Sequence, residues 1–215
     1  MYKRQHEEEA LLTLVGLTAG QAVRGDLLVV DIGGGSTELV LVEQSDAGPK
    51  IRAWWSAPWG VVSLTESEGK AALEGPDRLK AYLRMRERAR RAFANFVAML
   101  PEKKEDIRLL GTSGTVTTLA SVHLALPSYD RRAVDGLQVP IGDMRRISTM
   151  IAELDFGGRS NLPCIGADRA DLVVAGCAIL EAIIEIWPAK NLGIADRGIR
   201  EGILRSLMAR DGWPL

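Results

Sequence analysis

The pattern of apolar and polar positions divides this chain into a first part that is rich in strands and a second part in which helices alternate with strands. Apolar runs over 26–32, 38–43 and 51–56 predict three successive strands that open a sheet. The first run is β-branched and contains almost no polar residue, which is typical of a strand buried on both faces.

Helical periodicity follows these strands. A long helix is predicted from Pro76 to Leu100. Its apolar stripe is expected to consist of Leu79, Tyr82, Leu83, Ala89, Phe93, Phe96, Val97 and Leu100. Further helices are predicted over 7–21, from 115 to about 124, and over 141–154, 168–187 and 198–209, with strands at 107–110 and 192–195. The segment 155–168 is interpreted as a loop. Strands that alternate with helices in the second half predict parallel pairing and an α/β fold.

The composition and charge of the chain argue against some classes of partner. The chain has 215 residues, 47% of them hydrophobic, which is enough for a substantial core, and its net charge of −1 provides no global field for nucleic acid or a membrane surface. No apolar run approaches the roughly 20 residues that a membrane helix needs. We therefore expect a cytoplasmic protein with no nucleic-acid or membrane partner. Cys164 and Cys177 are isolated in sequence and are expected to be buried free thiols.

The most informative motif lies between the first two strands, where Asp31 and Glu38 flank a glycine-rich turn. Three successive glycines allow several backbone N–H groups to converge on phosphate oxygens, and carboxylates are hard ligands that suit Mg²⁺. Closing the hairpin is expected to bring the two carboxylates together. The alternative is an ordinary glycine-rich hairpin turn whose polar side chains bond the local backbone. The motif lacks the Gly-Lys-Ser/Thr ending of a Walker loop.

The residues Asp31-Ile-Gly-Gly-Gly-Ser-Thr-Glu38 resemble the second phosphate-loop motif of the exopolyphosphatase and guanosine pentaphosphate phosphohydrolase family. Three other segments, Glu7–Ala10, Gly111–Thr115 and Ala195–Gly202, resemble further motifs of that family in the same order. The resemblance implies an α/β fold of the actin-like (ribonuclease H-like) ATPase superfold, a single lobe with a mixed sheet flanked by helices.

The resemblance also implies roles for individual residues. Glu9 matches the catalytic glutamate, although three successive acids at a helix N-terminus are also favoured by the helix dipole alone. Asp31 would bind Mg²⁺, and Glu38 would position the ion or the attacking water. The expected phosphate-binding residues are Gly33, Gly34, Gly35, Ser36, Thr37, Gly111, Thr112, Ser113, Gly114 and Thr115.

Members of the family begin with a first lobe that has no counterpart here. We expect residues 1–5 to be a non-native N-terminal segment and 6–215 to be the C-terminal lobe of a protein that lacks its N-terminal lobe. The implied substrate is inorganic polyphosphate or guanosine pentaphosphate, cleaved by Mg²⁺-dependent attack of water, and the complete protein is expected to be a homodimer. Two alternatives are an actin-fold nucleotide-binding module, kinase-like or regulatory, and a non-enzymatic phosphate-binding lobe.

Three features have open interpretations. The arginines at 84, 86, 88, 90 and 91 indicate a solvated helix face or, alternatively, a track for polyphosphate. Arg200 could reach a phosphate, or the charged groups near Asp196 could pair with one another. Trp54, Trp55 and Trp59 could belong to the core or an interlobe contact, to a dimer surface, or to a base-stacking platform.

Overall fold

The computed structural model describes residues 25–45, 48–100, 108–196 and 211. These residues form a six-stranded mixed sheet in the order β3-β2-β1-β4-β6-β5. The strands are β1 (Gly25–Ile32), β2 (Thr37–Ser45), β3 (Gly48–Ala57), β4 (Arg108–Thr112), β5 (Gln138–Pro140) and β6 (Asn191–Ala195). The first three strands are a local antiparallel meander, whereas β1, β4 and β6 run parallel to one another.

Helices connect the strands of the second half. The described helices are α1 (Val61–Glu68), α2 (Lys70–Glu74), α3 (Arg78–Ala92), α4 (Ala94–Val97), α5 (Ser113–His123), α6 (Arg131–Val134), α7 (Ile141–Glu153), α8 (Phe156–Ser160), α9 (Gly166–Ala170) and α10 (Val173–Ile186). Almost every residue of α10 is buried, so this apolar helix forms the centre of the helical layer. The shorter helices and α3 surround it.

Alternation along the strands separates the two faces of the sheet. Leu28, Val30 and Ile32 of β1 belong to the large core that also contains the helices, whereas Leu27 and Val29 belong to a smaller cluster on the other face. Because successive strand side chains point to opposite faces, the residue after Val30 lies on the side of the smaller cluster. This alternation determines which face the polar residues at the strand ends can occupy.

The sequence-based prediction of the sheet is confirmed for its main strands and their parallel pairing. One prediction was incomplete, because β5 was not anticipated. This three-residue strand joins the edge of the sheet antiparallel to β6. It contains Pro140, and an edge position tolerates a proline because one side of the strand needs no partner.

The long helix predicted over 76–100 is shorter than expected. It runs as α3 from Arg78 to Ala92 and gives way at Phe93 to the single turn of α4. The predicted stripe was wrong at Leu79 and Leu83, which are 43% and 49% exposed. The prediction is confirmed at Tyr82, Ala89, Phe93 and Phe96, which are buried. The buried face of α3 also carries Ala81 and Met85, which were not predicted, because α3 packs closely on α10.

Two other segments differ from the prediction. The region 155–168, interpreted as a loop, contains α8 and the beginning of α9, and the helix predicted over 168–187 is divided into α9 and α10. The helices α1 and α2 were not predicted, since 61–74 has no strong apolar periodicity. In the part of the chain that the structure describes, no helix is both long and apolar enough to cross a bilayer.

Candidate functional site

The carboxylates predicted to flank the glycine turn do meet in the structure. Asp31 at the end of β1 and Glu38 near the start of β2 are direct partners in the antiparallel register, so their side chains share one face of the sheet. Burial raises the pKa of Asp31, the charge of Glu38 raises it further, and a hydrogen bond with Ser113 opposes the shift. The site therefore concentrates negative charge that is only partly compensated by its neighbours.

Two hydroxyls orient the carboxylate of Glu38. Ser36 Oγ donates to Glu38 Oε1 at 2.7 Å, and Ser56 Oγ donates to the same oxygen at 2.8 Å. These bonds come from the turn on one side and from β3 on the other. They hold one carboxylate oxygen and so set the direction of the second.

The glycine turn is held by the N-terminus of α1, a helix that sequence reasoning missed. Val61 N–H donates to the Gly33 carbonyl at 2.9 Å, Val62 N–H donates to the Gly34 carbonyl at 2.8 Å, and the Ser63 hydroxyl donates to the Gly35 carbonyl at 3.1 Å. The first N–H groups of α1 are thus satisfied by the turn itself. The helix clamps the turn, and its own N-terminus is not left free to bind an anion.

This clamp has a consequence for the donors of the turn. In a planar trans peptide the carbonyl of one residue and the N–H of the next point in opposite directions. Because the carbonyls of Gly33, Gly34 and Gly35 point toward α1, the N–H groups of Gly34, Gly35 and Ser36 point away from it. Three successive donors directed to one side form the type of concave arrangement that binds phosphate.

Close packing at Gly60 makes the clamp possible. A Cβ atom built on Gly60 would lie 2.4 Å from the carbonyl carbon and oxygen of Gly34. Any side chain at this position would push the turn away from α1. The sequence shows a glycine directly before the helix, at Gly60. It does not show that Gly60 packs against Gly34 of the turn.

The side chain of Thr37 has a structural contact. Thr37 is fully buried, and its hydroxyl donates to the Trp59 carbonyl at 2.8 Å. This bond ties β2 to the residue that precedes Gly60. The phosphate-binding role assigned to Thr37 stays a prediction, and the structure adds this contact with the segment that enters α1.

The second predicted loop lies at the junction of β4 and α5. Gly111 and Thr112 are the last residues of β4, and Ser113 to Thr115 begin α5. Ser113 has a φ of 80°, a backbone conformation that is strained for a residue other than glycine. Its hydroxyl donates to the Ile32 carbonyl at 2.9 Å, which joins the start of α5 to the end of β1.

A cavity of about 340 Å³ lies between the glycine turn and the first turn of α5. Its walls are formed by Ile32, Gly33, Gly34, Val61, Ser113, Gly114, Thr115, Thr118, Arg169, Leu172 and Val173. The structure therefore brings residues of both predicted phosphate loops to one space. The N-terminus of an eleven-residue helix is favourable for an anion at this position.

Arg169 is a cavity residue that sequence reasoning missed. Its guanidinium donates to Thr118 Oγ1 at 2.9 Å and so lies next to the second turn of α5. An arginine beside hydroxyls and a helix N-terminus is well suited to a phosphate group. The residue lies in the short helix α9, where the sequence gives no motif that distinguishes it from other surface arginines.

The far wall of the cavity is set by the contact of α10 with α5. A Cβ on Gly176 would lie 2.6 Å from Cγ2 of Thr115, so only glycine allows these helices to come so close. Leu172 and Val173 are carried by the same end of α10. The wall opposite the glycine turn is therefore largely apolar, apart from Arg169.

Asp31 and Glu38 are a chemically suitable pair for a divalent cation. Mg²⁺ takes one or two carboxylates and keeps several waters. An ion beside these two groups would offset the repulsion and the burial that raise the pKa of Asp31. No group of three or more His, Cys, Asp or Glu side chains suited to a metal occurs within the described ranges.

The remaining open interpretations are partly resolved. Asp196 accepts from Arg131 Nε at 3.1 Å, so charged groups near this residue do pair, although Arg200 lies outside the described residues. The arginines of α3 form ion pairs with glutamates. These pairs are Arg84–Glu68, Arg88–Glu68, Arg86–Glu181, Arg86–Glu185, Arg90–Glu87 and Arg91–Glu87. That pairing favours a solvated helix face over a polyphosphate track.

The tryptophans on β3 pack against both cores, and the prediction of buried free thiols is confirmed for Cys177 only. Trp55 packs on the main core and donates to the Ala92 carbonyl at 3.0 Å, whereas Trp54 packs on the smaller cluster. Both cysteines are free; Cys177 is buried and Cys164 is partly exposed. Glu9, the predicted catalytic residue, lies outside the described residues together with its neighbours Glu7 and Glu8.

Comparison with known proteins identifies relatives over nearly the whole chain. A family model described as the Ppx/GppA phosphatase family matches residues 5–211. A guanosine-5'-triphosphate,3'-diphosphate pyrophosphatase of Aeromonas hydrophila is 31% identical over 212 residues, covering 95% of this chain and 38% of the relative. Exopolyphosphatase 2 of Mycobacterium tuberculosis is 28% identical over 205 residues, covering 93% of this chain and 61% of the relative.

Solved structures give the same result for the fold. The Aquifex aeolicus member of the Ppx/GppA protein family matches with a TM-score of 0.80 and 28% identity, covering 97% of this chain and 64% of that one. An exopolyphosphatase from Cytophaga hutchinsonii matches with a TM-score of 0.79 at 20% identity, which bears on the fold alone. The expected actin-like fold is confirmed. The chain spans between 38% and 61% of the length of the two curated relatives.

Proposed function

This chain belongs to the Ppx/GppA phosphatase family, and we propose on that basis that it contributes the phosphate-binding lobe of an enzyme that hydrolyses phosphoanhydride bonds. The proposed reaction removes the terminal phosphate of inorganic polyphosphate or guanosine pentaphosphate by attack of water. The observation that carries the proposal is the paired Asp31 and Glu38 beside a turn whose N–H groups point to one side. The names of the relatives agree with this chemistry.

Different groups at the site have different roles in such a reaction. The N–H groups of Gly34, Gly35 and Ser36 hold phosphoryl oxygens, and the first turn of α5 receives a neighbouring phosphate. Catalysis of phosphoryl transfer depends mainly on positioning and on charge stabilisation, which are the functions these donors serve. Arg169 adds a bidentate donor at the far end of the same cavity.

Asp31 and Glu38 are the residues that would hold Mg²⁺. The ion would neutralise the charge of the bound phosphates. Ser36 and Ser56 keep Glu38 directed at the site, where it orients the ion or the attacking water. Glu9 is proposed as the base that accepts a proton from that water, on the strength of the family motif.

The rest of the enzyme is part of the proposal. We propose that a first lobe closes over the glycine turn, that residues 6–215 form the second lobe, and that the complete protein is a cytoplasmic homodimer. A cleft formed between two lobes loses much of its positioning energy when one is absent. The isolated chain is therefore expected to bind phosphate chains but to turn them over slowly.

The test is phosphate release from long-chain polyphosphate by the 215-residue chain and by the full-length product of its genomic locus, each with Mg²⁺ and with EDTA. Metal-dependent release by the full-length protein that is lost in Glu9→Gln and in Asp31→Asn is expected. Glu87→Gln is the matched control, because Glu87 pairs with arginines on the exposed face of α3. Release that persists in EDTA, or in Glu9→Gln, would contradict the proposed mechanism.

A second candidate is a nucleotide-binding module without polyphosphate hydrolysis. The apolar residues Val61, Leu172 and Val173 in the cavity wall favour it, because a phosphate chain alone gains nothing from them. Calorimetric titration with ATP and with tripolyphosphate separates the two. Tighter binding of ATP together with no phosphate release by the full-length protein would favour the nucleotide module.

A further inference from the structure

Arg159 in α8 is a fully buried cation that has no assigned role in the site. Its Nε donates to the Ala170 carbonyl at 2.7 Å, Nη1 donates to the Leu154 carbonyl, and Nη2 pairs with Oε1 of Glu74 at 2.5 Å. Each nitrogen of the guanidinium thus has an acceptor. A planar group bonded in three directions has little freedom to move, so Arg159 connects three backbone segments rigidly.

Glu74 connects Arg159 to the two helices that hold the glycine turn. Glu74 is the last residue of α2, which follows α1 after one residue, and its second oxygen accepts from Phe156 N–H at 2.8 Å. The carboxylate is therefore shared between both ends of the first turn of α8. Because α1 clamps the glycine turn, the unit formed by α1 and α2 carries one wall of the cavity.

Ala170 connects Arg159 to the opposite wall of the cavity. Ala170 follows Arg169 directly, and Leu172 and Val173 complete the wall. A second link between the two walls is the ion pair of Lys70 with Asp171 at 2.6 Å. Lys70 is 79% exposed in its side chain, and exposed pairs contribute little, so the buried Arg159 is the principal connection.

We propose that Arg159 is a positioning residue: together with Glu74 it holds the wall from Arg169 to Val173 at a set distance from the glycine turn. The guanidinium of Arg169 is thereby kept beside Thr118 and directed at the same ligand as the turn. That the ligand is a phosphate chain rests on the proposed function. The mechanical connection between α2, α8 and the wall rests on the contacts of Arg159 alone.

The informative substitution is Arg159→Lys, which keeps the charge. A lysine ammonium can pair with Glu74, but it cannot reach the carbonyls of Leu154 and Ala170 with the geometry of the guanidinium fork. Glu74→Gln is a second variant that keeps the shape and the acceptor for Phe156 while it removes the charge. Arg90→Lys is the control, because Arg90 pairs with Glu87 on an exposed face of α3.

The first measurement is amide hydrogen exchange of the full chain without ligand. We expect Arg159→Lys and Glu74→Gln to raise exchange over residues 166–173 by roughly tenfold, the effect of losing about one buried hydrogen bond. Exchange in β2 and in the Arg90→Lys control should not change. Unchanged exchange over 166–173, or an equal increase in every segment, would overturn the proposal.

The second measurement is a double-mutant cycle on the affinity for tripolyphosphate, determined by calorimetry. If Arg159 acts through Arg169, then Arg159→Lys weakens binding roughly tenfold in the unaltered chain and has no further effect in an Arg169→Met background. Additive losses would overturn the proposal. Failure of the unaltered chain to bind tripolyphosphate would count against the proposed function, and the exchange result, which needs no ligand, would then decide the positioning role by itself.

Discussion

Asp31 and Glu38 are paired residues on neighbouring antiparallel strands, and the glycine-rich turn from Gly33 to Ser36 lies among the six residues between them. A hairpin register that sets two acids opposite each other is destabilising unless something compensates their charge. Here the hydroxyls of Ser36 and Ser56 compensate part of the charge of Glu38, while burial and repulsion still raise the pKa of Asp31. We propose that a bound cation offsets this repulsion.

The first prediction concerns the charge of Asp31 in the absence of metal. The pKa of Asp31 is raised, so the folded state binds this proton more tightly than the unfolded state, and the ionised form destabilises the fold at neutral pH. Asp31→Asn in EDTA should therefore have a higher Tm than the unaltered chain at pH 7. The difference should shrink as the pH falls toward 3.8, the ordinary pKa of the group. A gain that is the same at pH 4 and pH 7 would contradict this assignment.

A second prediction concerns the metal itself. If Asp31 and Glu38 hold Mg²⁺, the ion stabilises the folded state by mass action, about 2.7 kcal/mol at one hundred times its dissociation constant. Thermal unfolding of the unaltered chain should shift upward with Mg²⁺ concentration. The shift should be absent in Asp31→Asn and preserved in Asp77→Asn, an exposed acid that pairs with Lys80. Equal shifts in both variants would indicate binding elsewhere.

Gly60 provides a third prediction. Its Cβ would lie 2.4 Å from the backbone of Gly34, so Gly60→Ala should cost about 1 to 3 kcal/mol in the free energy of unfolding and should displace the turn. Gly142→Ala in α7 is the matched control, because an added Cβ there meets no atom within 4 Å. Denaturant unfolding and tripolyphosphate titration measure both effects. A variant at Gly60 that binds as tightly as the unaltered chain would show that the clamp does not set the donors.

The fourth prediction concerns the thiols. Burial raises the pKa of Cys177 to about 12, so almost none of it is thiolate at pH 8, and the group is inaccessible as well. Cys164 is partly exposed and should react with a thiol reagent in the native protein. The reaction should therefore occur in two phases, of which the slow one follows unfolding. Cys164→Ser should remove the fast phase only, and rapid loss of both thiols would contradict the burial of α10.

Much of the site could be read from the chain because its chemistry is local. Asp31, the glycines and Glu38 are contiguous, and hairpin closure alone brings the acids together. The β4–α5 junction was recognisable for the same reason, since a strand followed by small residues and a helix is a continuous pattern. The parallel pairing of the strands followed from the intervening helices.

The remainder depends on contacts between distant parts of the chain. Gly60 packs against a turn that lies more than twenty residues earlier, and Gly176 lets α10 approach α5 at the far wall of the cavity. The burial of Arg159 in the segment 155–168 was not predicted, because its partners Glu74 and Ala170 belong to other elements. The apolar periodicity also predicted that Leu83 is buried, whereas it is exposed, since α3 turns smaller residues toward α10.

The order of strands in the sheet determines when the edge of β1 is protected during synthesis. A nascent chain completes the β1–β2–β3 meander once residue 57 has emerged, but β4, the other neighbour of β1, begins only at Arg108. Until then the apolar strand β1 has an unpaired edge, a form that invites pairing with other chains. The ribosome-bound intermediate, in which Asp31 and Glu38 are already paired across the hairpin, is therefore a stage at which this protein is exposed to aggregation.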